Sequence, residues 1–253
     1  MKITSFGGTD TGKKRTNNED AYLLNDQFCL YAVADGVGGN DGGEVASRIA
    51  VETIAAVVPD MLGEKDRTPP TGALSKTDPD VMALRHAFTL ANRNIRGEQL
   101  TNPKLSGMAT TLTALLLRKG RLLLAHIGDS RAYLLRSGKF EQLTSDHSFV
   151  AEQLRAGALT PEQARTSPYR NVITRALGID EEVKADFTSH AVLREDRLLL
   201  CTDGLTGLVN DAEIHRLLST ATPRDAVHKL LAAANDGGGI DNITAVVVWV
   251  AEV

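Results

Sequence analysis

Apolar residues along this chain gather in runs of strand length: "FCLYAVA" (28–34), "TTLTALLLR" (110–118), "RLLLAHI" (121–127), "RAYLLR" (131–136), "RLLLCT" (197–202) and "ITAVVVWV" (243–250). Several are continuously apolar instead of alternating, which predicts strands covered on both faces. Lys119-Gly120 separates two of the runs and Ser137-Gly138 follows a third. Glycine can take positive φ in each turn, so both joints predict hairpins and antiparallel pairing. A period of three and four links Val81, Leu84, Phe88, Ala91 and Ile95, the spacing of one helical face. Helix also fits "GEVASRIAVETIAAVV" from Gly43. Thr160-Pro161-Glu162-Gln163 reads as a capping box with proline at the first helical position. Thr222-Pro223 opens "PRDAVHKLLAAAN", which stops before Gly237-Gly238-Gly239. Hairpins mixed with helices, without strict βα alternation, predict an α+β fold of layered sheets and helices over a doubly wound parallel sheet.

The polar, Pro/Gly-rich stretch "GEKDRTPPTGALSKTD" (63–78) reads as a loop inside one domain, because the apolar pattern resumes unchanged after it. Phe149 to Asn171 is helical, polar and inserted between strand-like pieces, and is expected to form a surface flap. The 253 residues are thus expected to form a single domain, 1–253, with its flap at about 149–171. A net charge of −4 with no Lys/Arg block argues against a nucleic-acid or anionic-membrane partner. No apolar run approaches the roughly 20 residues that span a bilayer, and "MKITSFGGTDTGKK" lacks the apolar core of a signal peptide. The expectation is a cytoplasmic protein, monomeric by default. Cys29 and Cys201 lie in apolar runs and are expected to be buried small hydrophobes, not a disulfide or a metal motif.

One run ends unusually. After "CLYAVA" come Asp35 and a turn stripped of side chains, "DGVGGNDGG". A dinucleotide cradle would need G-x-G-x-x-G after the strand. Gly36 and Gly38 fit, but Asp41 holds the third place, and Asp35 and Asp41 would crowd an anion with negative charge. No G-K-[ST] phosphate loop occurs. A metal site gains from four more apolar runs that stop or start beside an acidic residue: Asp129, Asp203, Asp241 and the Glu19-Asp20 pair, with Arg15 four residues before Glu19. Any single one reads as a turn residue or cap. If the strand ends converge, carboxylates cannot all stay ionised side by side without positive charge, and hard divalent cations take oxygen ligands.

The segments "RTNNEDA", "VADGVGGNDGGEVAS", "SGMATTL", "IGDSRAYLL", "LTSDHS", "TRALG", "CTDGLTGLV" and "DNITAVVV" resemble, in order over nearly the whole chain, those of the metal-dependent protein phosphatases, the type-2C Ser/Thr family, in its bacterial stand-alone form. The resemblance implies a four-layer αββα sandwich, two antiparallel sheets flanked by helices, with two Mn²⁺ or Mg²⁺ ions in a cleft at one edge. It implies that Asp35 bridges the ions, that the Gly36 carbonyl binds one, and that Asp203 and Asp241 complete the protein ligands of the other. Glu19 and Asp20 would act through metal-bound waters, and Asp129 with Asp203 would hold a third, weaker ion.

By the same resemblance, a hydroxide bridging the ions attacks phosphorus in line, with no phospho-enzyme. Arg15 would grip two phosphate oxygens with its planar fork. The substrates implied are proteins phosphorylated on Ser or Thr, and the partner implied is an opposing Ser/Thr protein kinase. An alternative is a catalytically weak relative that binds phosphoproteins as a regulator. Some family members carry a histidine immediately after the Asp-Gly pair, as an acid for the leaving alkoxide; here Val37 stands there. Either a metal-bound water supplies that proton or another residue reaches in. His147, in "LTSDHS", is expected to be structural rather than catalytic, and His126 to be a core residue. His86, His190, His215 and His228 are expected at ordinary helix, loop or surface positions.

Overall fold

The computed structural model describes residues 1–39, 42–63, 78–219 and 222–252. Asn40, Asp41 and all but the two end residues of the 63–78 loop lie outside the described residues. Within them the strands are β1 (Lys2–Asp10), β2 (Asp20–Asn25), β3 (Leu30–Val37), β4 (Ala109–Thr110), β5 (Leu112–Arg118), β6 (Arg121–Ile127), β7 (Arg131–Arg136), β8 (Lys139–Gln142), β9 (Asp186–Ala191), β10 (Arg197–Cys201) and β11 (Ile243–Glu252). The helices are α1 (Gly42–Gly63), α2 (Pro79–Thr101), α3 (Phe149–Arg155), α4 (Pro161–Thr166), α5 (Asp203–Thr206), α6 (Asp211–Ser219) and α7 (Pro223–Asp236).

The strands form two antiparallel sheets, β1-β11-β10-β7-β8 and β2-β3-β5-β6-β9, with β4 paired to β3. Both expected hairpins are present: Arg118 pairs with Arg121 and Arg136 with Lys139, and Lys119 and Ser137 join their glycines at positive φ. Three apolar layers hold the molecule together. Tyr31, Leu115, Leu124, Leu198 and Val248 fill the space between the sheets. Leu30, Leu116 and Leu123 on the outer face of one sheet pack on Ile54, Leu84 and Phe88 of α1 and α2. Leu199 and Val247 on the outer face of the other pack on Leu217, Val227 and Leu230 of α6 and α7. Alternate residues of each central strand thus face two different cores, which is why these runs read as continuously apolar. Four layers, αββα, result. No helix among the described residues is long and apolar enough to cross a membrane.

The expected helices are present, and their ends carry the expected chemistry. Thr160 Oγ1 accepts from the Gln163 N–H while the Gln163 side chain accepts from the Thr160 N–H. Thr222 caps α7 through the Asp225 N–H. Three readings need correction. The reading of α1 stops at Val58, yet the helix continues through Pro59 to Gly63; proline's fixed φ is helical, and burial of Val58 and Leu62 offsets the lost hydrogen bond. "FCLYAVA" does not start as strand: Cys29 sits in a turn at φ 50°, half-buried, and only Cys201 is fully buried. His190 lies in strand β9 instead of a helix, loop or surface position.

Candidate metal centre

Antiparallel order brings one end of each sheet to a common edge. There β3 ends in Asp35-Gly36-Val37, β6 leaves into Gly128-Asp129 and β10 into Thr202-Asp203, while β2 begins at Asp20 and β11 two residues after Asp241. Asp20 and Asp35 are cross-strand neighbours. The Asp35 and Asp203 carboxyls approach closely enough to share a proton if one of them is protonated, and Asp129 and Asp241 are close enough to add to their mutual repulsion. The five scattered aspartates therefore meet at one end of the sandwich. Arg15 stands at the rim, where its Nη2 donates to Asp241 Oδ2 at 2.9 Å, half in solvent. Glu19 lies against the first turn of α1: a Cβ on Gly43 would stand 2.6 Å from Glu19 Oε2, so the carboxylate faces the positive end of that helix. Gly36 has no room for a side chain, since a Cβ would overlap the Gly43 carbonyl. This backbone-on-backbone approach is what the stripped turn provides.

Polar side chains absent from the sequence-derived site hold these groups in place. Thr111 Oγ1 accepts from the Asp35 N–H at 2.9 Å, and the Thr111 N–H and Thr110 hydroxyl both donate to the Asp35 carbonyl. Thr111 also shares a 2.8 Å hydrogen bond with Ser130, next to Asp129. The hydroxyls of Thr202 and Thr244 donate to Asp20 Oδ2 at 2.8 and 2.6 Å. Asn242 accepts from the Glu19 N–H and donates to the carbonyls of Thr11 and Asn17, tying the N-terminal loop to β11. The only sequence signal for these residues is that they sit inside the motif segments "SGMATTL", "IGDSRAYLL", "CTDGLTGLV" and "DNITAVVV".

The electrostatics call for cations. Asp35 is pushed well above the ordinary carboxyl range, first by burial and then by the negative charges of Asp20, Asp203 and Asp129. Asp203 is raised by burial and by Asp241. Burial lifts Asp20 to about 7 against the help of Thr244 and Thr202, and lifts Asp129 to about 7 with Asp203 and Asp146 adding to it. One oxygen of Asp20 and one of Asp129 are buried with no hydrogen-bond partner, the state of an acceptor awaiting a cation. Arg131 offsets the cluster only in part: its charge favours ionised Asp129 and Asp203, yet both stay raised, and its fork is engaged with Asp146 at 2.7–3.0 Å. An all-oxygen donor set of this kind suits Mn²⁺ or Mg²⁺. Among the described residues, no three His, Cys, Asp or Glu side chains alone are arranged to enclose an ion.

The centre opens on a cleft of about 770 Å³. Asp129, Asp203 and Asp241 form one end of it; Val150, Leu154 and Pro161 of the flap and Ile240 line its walls. The flap thus borders the same space as the acidic cluster. Val37, at 38% exposure, offers no proton at the rim. His126 and His147 are buried at 2% exposure, outside the cleft lining.

A family profile described as Protein phosphatase 2C matches residues 8–235. Serine/threonine protein phosphatase PstP of Mycobacterium tuberculosis is 39% identical over 244 residues, which cover 96% of this chain and 44% of PstP. The chain therefore spans less than half the length of that relative. Protein phosphatase PhpP of Streptococcus pneumoniae is 36% identical over 245 residues, covering 95% of this chain and 94% of PhpP. A crystal structure of the catalytic domain of the serine/threonine protein phosphatase PstP in complex with two manganese ions superposes with a TM-score of 0.84 at 37% identity, covering 99% of both chains.

Proposed function

The chain belongs to the protein phosphatase 2C family, and from that premise we propose that it is a metal-dependent phosphatase that hydrolyses phosphoserine and phosphothreonine in proteins, opposing a Ser/Thr protein kinase. The observation that carries this reading is the convergence of buried, mutually repelling carboxylates, two with orphaned oxygens, at the end of a cleft. Bound divalent cations supply the charge that lowers the pKa of water and screens a phosphate dianion.

Asp35, Asp203, Asp241 and the Gly36 carbonyl would hold two ions, Asp129 with Asp203 a third, and Glu19 and Asp20 would act at one remove. Arg15 would bind the substrate phosphate. Its present pairing with Asp241 is half exposed, an interaction cheap enough to exchange for a bidentate phosphate contact. No side chain is assigned as the acid for the leaving alkoxide. The chain acts as one domain, in the cytoplasm and as a monomer.

The test is release of inorganic phosphate from a panel of phosphoserine, phosphothreonine and phosphotyrosine peptides, with Mn²⁺ and with a chelator. The expected result is metal-dependent release from the first two, abolished by the chelator and restored by fresh Mn²⁺. Peptide binding without release would favour the regulator reading, and release indifferent to chelation would overturn the metal centre.

A further inference from the structure

His147 is fully buried, outside the cleft, and unused by the reading above, yet it touches the turn that carries Asp129. The Gly128 N–H donates to His147 Nδ1 at 3.1 Å, and the His147 N–H donates to the Gly128 carbonyl at 2.8 Å. One residue therefore holds both backbone groups of the glycine that precedes Asp129. A neutral imidazole that accepts at Nδ1 must carry its proton on Nε2. That proton faces Asp186 Oδ2, 3.1 Å away, and Arg175 Nη1 stands 3.4 Å from the same Nε2 and 3.6 Å from the other carboxylate oxygen. Burial lowers the His147 pKa, and the parallel-leaning ring of buried His126, 4.8 Å off, further fixes its plane. Position 128 admits only glycine: it sits at φ 110°, and a Cβ there would stand 2.5 Å from Thr111.

The clasp also reaches the flap. The Thr174 N–H donates to the His147 carbonyl at 2.8 Å, the Phe149 N–H donates to the Val172 carbonyl at 2.8 Å, and Ser148 pairs with Ile173. His147 is thus the last residue before the flap's closed base and the first to hold the Asp129 turn.

We propose that His147 is a positioning residue: oriented by Asp186, it fixes the Gly128–Asp129 turn so that the Asp129 carboxylate is aimed at its cation. The inference rests on the reading that Asp129 helps to hold an ion. Removing an orienting partner of this kind costs about 10–100-fold in metal affinity.

The experiment compares His147→Asn, whose amide oxygen can replace the Nδ1 acceptor, with His147→Gln, which places its polar atoms toward Asp186 instead. Two quantities are read: hydrogen exchange of the Gly128 amide in metal-free protein, and Mn²⁺ affinity at the site that Asp129→Asn removes. In His147→Gln, Gly128 exchange is expected to rise at least about tenfold and Mn²⁺ affinity to fall by about 10–100-fold; His147→Asn, which keeps the acceptor but gives up the Asp186 contact, is expected to shift both no further than Asp186→Ala does. Asp186→Ala, on the half-exposed side of the clasp, shifts both the same way by a smaller factor. The inference is overturned if His147→Asn is as impaired as His147→Gln, or if His147→Gln matches wild type. It is equally overturned if His147→Gln does not fold and Asp186→Ala leaves both quantities unchanged. An Asp129→Asn protein that binds as many Mn²⁺ ions as wild type would count against the metal reading, and Gly128 exchange would still judge His147 on its own.

Discussion

At the scale of single residues, the aspartates were legible because they recur: one carboxylate beside Gly or Asn at the end of an apolar run reads as a turn residue or cap, whereas several that converge cannot all stay ionised without positive charge. Their supports were not, because Thr111, Thr202, Thr244 and Asn242 are ordinary residue types whose role lies in which backbone group they meet. Three substitutions separate these classes. Asp203→Asn removes charge with little change in volume and is expected to abolish metal-dependent release of an aryl phosphate while leaving the circular-dichroism spectrum intact; retained turnover would remove Asp203 from the site. Arg15→Ala is expected to raise KM about tenfold or more, with a smaller fall in kcat, as for the loss of a charged contact made in ground and transition states alike. A fall in kcat alone would contradict a binding role. Thr111→Val keeps the shape and leaves the Asp35 N–H and Ser130 hydroxyl without their partner, so urea denaturation is expected to show a loss of about 1–3 kcal/mol.

At the scale of elements, legibility followed how local the cause was. The caps at Thr160 and Thr222 and both Gly hairpins depend on neighbours in sequence, and all four stand as read. Strand β1 went unread because Gly7 and Gly8 break its apolar pattern. The fold needs them bare: a Cβ at Gly7 would press on Tyr22 at 2.8 Å and one at Gly8 on Val227 at 2.9 Å. Helix α6 and strands β8 and β9 were also missed: α6 keeps a helical face in Ile214, Leu217 and Leu218 but is only nine residues long, and the two strands are short and only partly buried, so their periodicity is weak. The flap was read as an insertion, and its α3 and α4 line the cleft. Trimming Ala158–Ser167 is therefore expected to change the ranking of phosphopeptide substrates more than the turnover of a small aryl phosphate. Equal losses on both would assign the flap to stability instead.

For the molecule as a whole, the fold class was written in the mixture of hairpins and helices, whereas the meeting of strand ends from two sheets is a tertiary fact that no local pattern records. That meeting makes the protein's stability depend on charge. Without metal, Asp20 and Asp129 titrate at about 7 in the fold against an ordinary 3.8, so between roughly pH 4 and 7 the folded state binds more protons than the unfolded one. Stability of the metal-free protein is therefore expected to fall as pH rises through that window, with the full penalty above it, at most about 4 kcal/mol for either group. Mn²⁺ at a hundred times its Kd should return about 2.7 kcal/mol at pH 8. Thermal unfolding in chelator at pH 5 and 8 reads the effect; a metal-free protein more stable at pH 8 would contradict it. The most direct measurement is anomalous diffraction from crystals soaked in Mn²⁺: the account predicts two strong peaks among Asp35, Asp203 and Asp241, and an empty acidic cluster at saturating manganese would contradict it.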